Sequence, residues 1–211
     1  MNAFRLSLTA LTLALLALPA HAEGGRPADN TPKLAFGQMV QYGEKLIFSP
    51  CRDQSYTHLE DISSDGRVVK ALNMVGLAAG KKIYAELLGV NEDGVLKASQ
   101  INLAKANGRC QLPGGREESW RAAGSQPDWI LAFGSEVVQV KPLGKSEVDL
   151  PAGPVKIENG VATFEASRDN QKLALRFEQS LCRDQAADAV FGWTATVELN
   201  GQTFKGCAWQ R

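Results

Sequence analysis

The sequence predicts an all-β chain built as an OB-like five-stranded barrel with one short helix, followed by a small antiparallel barrel. Three observations carry that expectation. Apolar and polar residues alternate with a period of two through most segments, Asn-Gly pairs stand where tight hairpin turns need positive φ, and four cysteines bracket two halves of the chain. The clearest stretch runs from Trp193 to Leu199. There Trp193, Ala195, Val197 and Leu199 share one face, and Thr194, Thr196 and Glu198 the other. A two-residue turn at Asn200-Gly201 then sets Val197 opposite Phe204 and Thr196 opposite Lys205. In that register Cys207 falls opposite Thr194 on the polar face. Either Gly206 bulges to turn it over, or Cys182 meets it from outside.

At the N-terminus Arg5 precedes an apolar run from Leu6 to Leu18, and Ala20-His21-Ala22 has the small-x-small form of a signal-peptidase site. Residues 1–22 therefore read as a secretory leader, and the expected location is periplasmic or secreted. No cysteine stands at the expected cleavage point, so no lipid anchor is expected. No later stretch is long and apolar enough to span a bilayer. An oxidising compartment favours disulfides. Cys51, Cys110, Cys182 and Cys207 allow three pairings; Cys51 with Cys110 and Cys182 with Cys207 is favoured because each pair then brackets one half. In the loop-entropy model each closure contributes roughly 3 to 4 kcal/mol. Lys plus Arg number 23 against 23 Asp plus Glu. Without a basic excess for phosphate backbones, nucleic acid is disfavoured as a partner.

Taken in order, residues 23–34 are rich in Gly, Pro and polar groups and read as a flexible arm. Residues 35–112 read as the OB-like domain. Its strands are expected at 37–42, 45–51 and 55–61, then a helix capped by Asp65 with Val68, Val69, Leu72 and Val75 on one face and Gly76 ending it. Strands at 81–90 and 95–103 flank a loop at Asn91-Glu92-Asp93-Gly94. Five strands with a helix between the third and fourth is the OB order. Pro113 and Gly114-Gly115 break both periodicities, so 113–119 reads as a linker. Residues 120–211 form the second domain. They open on a turn-rich entry containing Trp120 and Trp129, followed by strands at 130–133, 136–141, 146–150, 153–158, 161–166 and 172–177, with Asn159-Gly160 as a second tight turn. Roughly eight short strands joined by turns suggest a small barrel or sandwich.

The spacing of Gly37, Tyr42, Phe48 and Cys51, the segment Ile83 to Val90 and the closing Cys110 resemble the C-terminal OB domain of the NlpE family of envelope lipoproteins. That resemblance implies copper tolerance, surface sensing or envelope-stress signalling. In the second half, Trp120-Arg121-Ala122, Gln126-Pro127-Asp128-Trp129, Cys182-Arg183-Asp184 and Thr194 to Val197 with Gly206-Cys207 resemble an uncharacterised family of bacterial envelope proteins, lipoproteins among them. That family is distantly akin to the META/HslJ domain and to the N-terminal barrel of NlpE. It implies a META/HslJ-like or lipocalin-like barrel and an envelope location, and no established chemistry.

Catalytic signals are sparse. His58 is the one histidine after the expected leader, and no G-x-S-x-G turn accompanies it. Glu60-Asp61 and Glu117-Glu118 are sequence neighbours that an extended chain points apart, unlike a glycosidase pair. No cofactor is expected. For a metal, Met39, His58 and Met74 are the copper candidates, because thioether and imidazole suit copper; zinc lacks ligands once the cysteines are oxidised. C-R-D-Q occurs twice, at Cys51 and at Cys182, each after a strand. Its Asp suits a turn, and Arg183 and Asp184 with Trp129 and Trp193 are candidates to line a barrel mouth that takes a small polar ligand or peptide. The expected function is non-enzymatic binding or interaction in the envelope, with a small molecule or an envelope protein as partner. The alternatives are an envelope-directed hydrolase without a recognisable motif and an inhibitor of a host hydrolase such as lysozyme. The oligomeric state is not legible. Thiol titration of the denatured, non-reduced protein is expected to find no free thiol; any stoichiometric labelling would refute the paired cysteines.

Overall fold

The computed structural model of the chain describes residues 31–53, 55–110 and 117–211. The expected leader, most of the arm, and residues 113–116 of the expected linker lie outside the described residues. The arm ends earlier than expected, because Lys33 and Leu34 already belong to the first strand.

Period-two alternation gives β1 (Lys33–Tyr42) and β2 (Lys45–Pro50), and then β3 (Thr57–Asp61) after the loop that begins at Cys51. Helix α1 (Arg67–Met74) follows, then β4 (Ile83–Glu92) and β5 (Val95–Lys105). β1 pairs with β2 and β4, β2 with β3, β3 runs parallel to β5, and the β4–β5 pair closes the ring. This is the OB order the sequence predicts. The β4–β5 turn is tighter than expected: Asp93 and Gly94 both take positive φ, a two-residue turn that leaves Asn91 and Glu92 in the strand. The helix cap also differs. Asp65 has a left-handed backbone (φ 59°) and caps nothing. Instead Val69 N–H donates to Asp61 Oδ2 (2.8 Å) and Val68 N–H to Ser63 Oγ (3.1 Å). The buried face is Val68, Ala71, Leu72 and Val75, with Val69 only half-buried.

The second sheet holds nine strands. They are β6 (Glu118–Ser125), β7 (Asp128–Gly134), β8 (Val137–Pro142), β9 (Val148–Pro151), β10 (Lys156–Glu158), β11 (Val161–Arg168), β12 (Gln171–Glu178), β15 (Trp193–Leu199) and β16 (Gln202–Gln210). Their order is β10-β11-β12-β15-β16-β6-β7-β8-β9, and the sheet curls until β9 packs beside β11 and β12. The stretch expected to be a turn-rich entry is the β6–β7 hairpin; its polar turn at Gln126-Pro127 masks two strands that alternate cleanly. The β15–β16 register is as the sequence predicts, Val197 opposite Phe204 and Thr194 opposite Cys207. Gly206 does not bulge: its backbone lies against Ala123 O, where a Cβ would come within 2.0 Å. Cys182 reaches Cys207 from outside.

The strand bearing Cys182 was not expected. β13 (Cys182–Asp184) and β14 (Ala189–Phe191) form a hairpin that leaves the second sheet and joins the first, with β14 pairing to Leu103, Ala104 and Lys105 of β5. Val190 is fully buried in the core of the first barrel. Residues 182–191 thus belong by sequence to the second half and by packing to the first. At Gly192 the chain crosses back, with N–H donating to Asn102 O (3.0 Å); a Cβ there would sit 1.9 Å from Ile101 O. Both disulfides have the expected pairing, Cys51–Cys110 and Cys182–Cys207. Because β14 completes the first core, heat or urea is expected to unfold both barrels in one transition. Val190→Ala should shift that whole transition by roughly 1–3 kcal/mol. Two resolved transitions, with only the first barrel moved by the substitution, would refute the coupling.

Candidate functional site

The two ends of the first barrel differ. Helix α1 follows β3 and precedes β4, so it lies across the end where β3 finishes, and Val68, Ala71 and Leu72 fill that end. At the other end β1, β3 and β5 begin and β2 and β4 finish. There β1 overruns β2: β2 stops at Pro50, opposite Gly37, while residues 33–36 pair with β4 alone. A cleft of about 490 Å³ opens at this end, a size that suits a small molecule. Phe48 and Leu96, both buried, form its floor, with Ala35 and Pro50 on the wall. Lys33, Arg52, Asp53, Thr57 and Asn91 stand around the rim.

The chain holds this rim in place locally. Cys51 N–H donates to Phe36 O (2.8 Å), which stitches the loop after β2 to the overrun of β1. The Cys51–Cys110 bond ties the same loop to the segment beyond β5, and Gln38 Nε2 donates to Gly108 O (3.2 Å) along that segment. Asp53 closes the loop by accepting from Ser55 N–H (2.8 Å) and from the Ser55 hydroxyl. These two hydrogen bonds hold the Asp53 carboxyl below the usual carboxylate range.

Among the described residues the core of the second sheet is packed with its own aromatics, and a cleft of about 510 Å³ lies at its seam, where Pro151 to Pro154 meet Thr163 and Phe164. Trp120 packs edge-on against Trp193 (5.0 Å between centroids) and beside Phe177 (5.3 Å), Phe133 packs edge-on against Phe164 (4.7 Å), and Trp129 lies beside Phe204. The four residues expected to line a mouth are accordingly not one. Trp129 and Trp193 are buried in this core, and Trp129 Nε1 donates to Lys205 O (3.1 Å). Arg183 lies outside it: Nη1 donates to Met74 O (2.8 Å), capping the last carbonyl of α1 across the joint. Asp184 Oδ1 accepts from Ala187 N–H (3.0 Å), so both copies of C-R-D use the aspartate to close a turn. The copper candidates are also kept apart. Met39 is fully buried in the barrel, His58 is exposed on the outer face of β3, and Met74 is half-buried at the end of α1. Among the described residues no three of His, Cys, Asp and Glu converge.

One polar cluster is buried. Glu86 and Asn102 are each 3% exposed. Glu86 accepts from Tyr84 Oη (2.9 Å) and from Asn102 Nδ2 (2.9 Å). The Asn102 amide also pairs with the backbone of Gln210, donating to its carbonyl (2.9 Å) and accepting its N–H (2.8 Å). Burial pushes the Glu86 carboxyl up, against the opposing effects of these two hydrogen bonds and of the nearby Arg211 charge. Burial and the Glu86 charge push the Tyr84 phenol up as well. With 3% exposure and both oxygens engaged, Glu86 is part of the joint between the barrels and not a group presented to solvent.

The mouth residues Lys33, Ala35, Arg52 and Leu96 were not singled out in the sequence. The available signal was Ala35, a small residue on the inward parity of Met39 at the start of a strand longer than its neighbour. No protein-family model, curated protein or solved structure matches the chain. No helix among the described residues is long and apolar enough to cross a membrane.

Glu86 gives the joint a pH dependence of defined sign. Its folded value lies above the ordinary 4.5, so its contribution to stability is fully present below that pH and is lost as the pH rises through the folded value. In urea denaturation from pH 4 to pH 8, Glu86→Gln is expected to gain on the native chain towards pH 8 and lose that gain towards pH 4. A difference independent of pH would exclude the buried charge as its cause.

Proposed function

We propose that this protein is a non-enzymatic binding protein of the bacterial envelope, exported to an oxidising compartment, and that its ligand enters the open end of the first barrel. The observation that carries this is the contrast between the two cores: one barrel ends in a pre-formed apolar cleft with a polar rim, and the other is filled by aromatic side chains. Two disulfides fit an oxidising compartment, and the leader-like residues 1–22 fit export. The link to envelope stress rests on the resemblance to NlpE alone. A hydrolase would need an acid, base or nucleophile presented to a substrate; the buried carboxyl with the raised titration, Glu86, is committed to the joint instead.

Ligand-dependent stabilisation tests the proposal. In a thermal-shift panel of alkyl amphiphiles, glycan fragments and short peptides, a compound at a hundred times its Kd should stabilise the chain by about 2.7 kcal/mol, or roughly 5–10 °C. Ala35→Trp, which fills the wall, and Asn91→Trp, which crowds the rim, should abolish that shift while leaving the ligand-free melting cooperative. A panel without a hit, or a hit that both variants keep, would overturn the site.

A further inference from the structure

Resting on that site, we infer that the ligand is an extended peptide segment of a partner protein, which adds to the edge of β1 as a short antiparallel strand and lowers one large apolar side chain into the cleft. The backbone of β1 supplies half of the site. A two-residue turn joins β1 to β2, so the residues that exchange hydrogen bonds across this ladder alternate from Tyr42 and Lys45 onward and carry even numbers on β1. The last rung keeps that parity: Cys51 N–H donates to Phe36 O (2.8 Å). Leu34 therefore turns its N–H and C=O to the same side, where β2 has already ended, and among the described residues neither group has a partner there. Ala35, of the other parity, turns its own to β4. A donor and an acceptor so placed are matched together by a strand: one residue opposite Leu34 accepts from its N–H and donates to its C=O, continuing the β1–β2 ladder. Pro32 has no N–H, so the edge ends there and the added strand stays short.

The pleat fixes which side chain enters. Ala35, Gly37 and Met39 share the inward parity of β1; Met39 is fully buried, and the Phe48 ring covers Gly37 so closely that a Cβ there would meet its Cζ at 2.5 Å. Ala35 is the next inward position and carries only a methyl, so the space over Phe48 and beside Leu96 stays open as the cleft. In a strand paired with Leu34, the residue opposite Ala35 points inward too, and its side chain takes this space. Phe48, Leu96, Ala35 and Pro50 offer it no side-chain hydrogen-bonding group, so a polar side chain would lose water without replacement and an apolar one is selected. Main-chain pairing thus sets direction and register, and the pocket chooses one residue, which is how a sheet edge recognises a strand. A free alkyl chain fills the cleft but leaves the Leu34 groups unmatched.

A displayed library of random twelve-residue peptides, selected on the full oxidised chain, supplies the probes. Selected peptides are expected to share one large apolar anchor and to lose binding in Ala35→Trp. N-methylation of the residue just after the anchor, whose N–H goes to Leu34 O, should weaken Kd at least tenfold, and N-methylation of the anchor itself less than threefold. In the complex, amide exchange at Leu34 should slow at least tenfold while that at Ala35 is unchanged. Leu34→Pro deletes an N–H that the fold does not use, so its melting should stay cooperative, and it should lose at least five times more affinity than Leu34→Ala. If Leu34→Pro melts without cooperativity, the exchange and N-methyl measurements decide on the native chain. Peptides lost in Ala35→Trp but leaving Leu34 exchange unchanged would keep the mouth and overturn the strand. Peptides that Ala35→Trp retains would place binding elsewhere and overturn the inference. An empty selection beside a thermal-shift compound that Ala35→Trp loses would overturn the peptide and keep the mouth; an empty selection beside an empty panel would overturn both.

Discussion

Asn102 is the point on which the two barrels meet. The β4–β5 ladder pairs Glu86 with Leu103 and Leu87 with Ile101, leaving Asn102 as the extra residue of a bulge. A bulge frees backbone and re-aims a side chain, and here both effects are used. The Asn102 carbonyl takes the Gly192 N–H where the chain crosses between sheets, and its amide pairs with both backbone groups of Gln210 near the C-terminus. A side-chain amide thereby stands in for a strand, pairing with both peptide groups of a partly buried residue at the end of β16. Glu86 and Tyr84 complete the cluster, which is satisfied at the cost of holding a carboxyl where its charge is disfavoured.

Around that point the second half of the chain finishes the first. β14 extends the β5 edge beyond the reach of β3, Val190 enters the core, and Arg183 and Arg67 each cross the joint to a carbonyl, of Met74 and Gln179. The Cys182–Cys207 bond fastens the base of this hairpin to β16, on a face where Phe191 and Trp209 stack (4.9 Å). The first barrel is therefore closed at its helical end and braced along β5 by material from the other half. Its opposite end is left to a loop pinned by Cys51–Cys110.

This arrangement divides the labour between the barrels. Among the described residues the second core is packed with aromatics, and its strap adds β14 and Val190 to the neighbour that opens in a cleft. If the proposed ligand enters that cleft, the braced barrel has little to rearrange, which lowers the entropic cost of association. The carboxyl at the joint lies on the outer face of β4, so its titration acts on the brace and not directly on the floor of the cleft.

Much of the fold was legible because it is local. Alternation from Trp193 to Leu199, two residues of positive φ at Asn200-Gly201, and the order of five strands around one helix each follow from sequence neighbours, and the register of Val197 with Phe204 followed from turn length alone. The two disulfide pairings could be chosen because each staples a compositional half. What the sequence could not assign was the partner of anything exchanged between halves. Cys182 to Phe191 carries too few residues per strand to show a period, and nothing in Cys182-Arg183-Asp184 distinguishes a ligand contact from a cap on a helix more than a hundred residues earlier. Trp129, Trp193, Arg183 and Asp184 were not legible as a core pair, a cap and a turn for the same reason: tryptophans and an arginine near a turn describe a mouth and a filled core equally well until their directions are known. Sequence alone determined strand existence, turn chemistry and staples, since these depend on residues within reach along the chain; tertiary structure decided which barrel is open and how the two are joined, because long-range pairing and packing set where each side chain points.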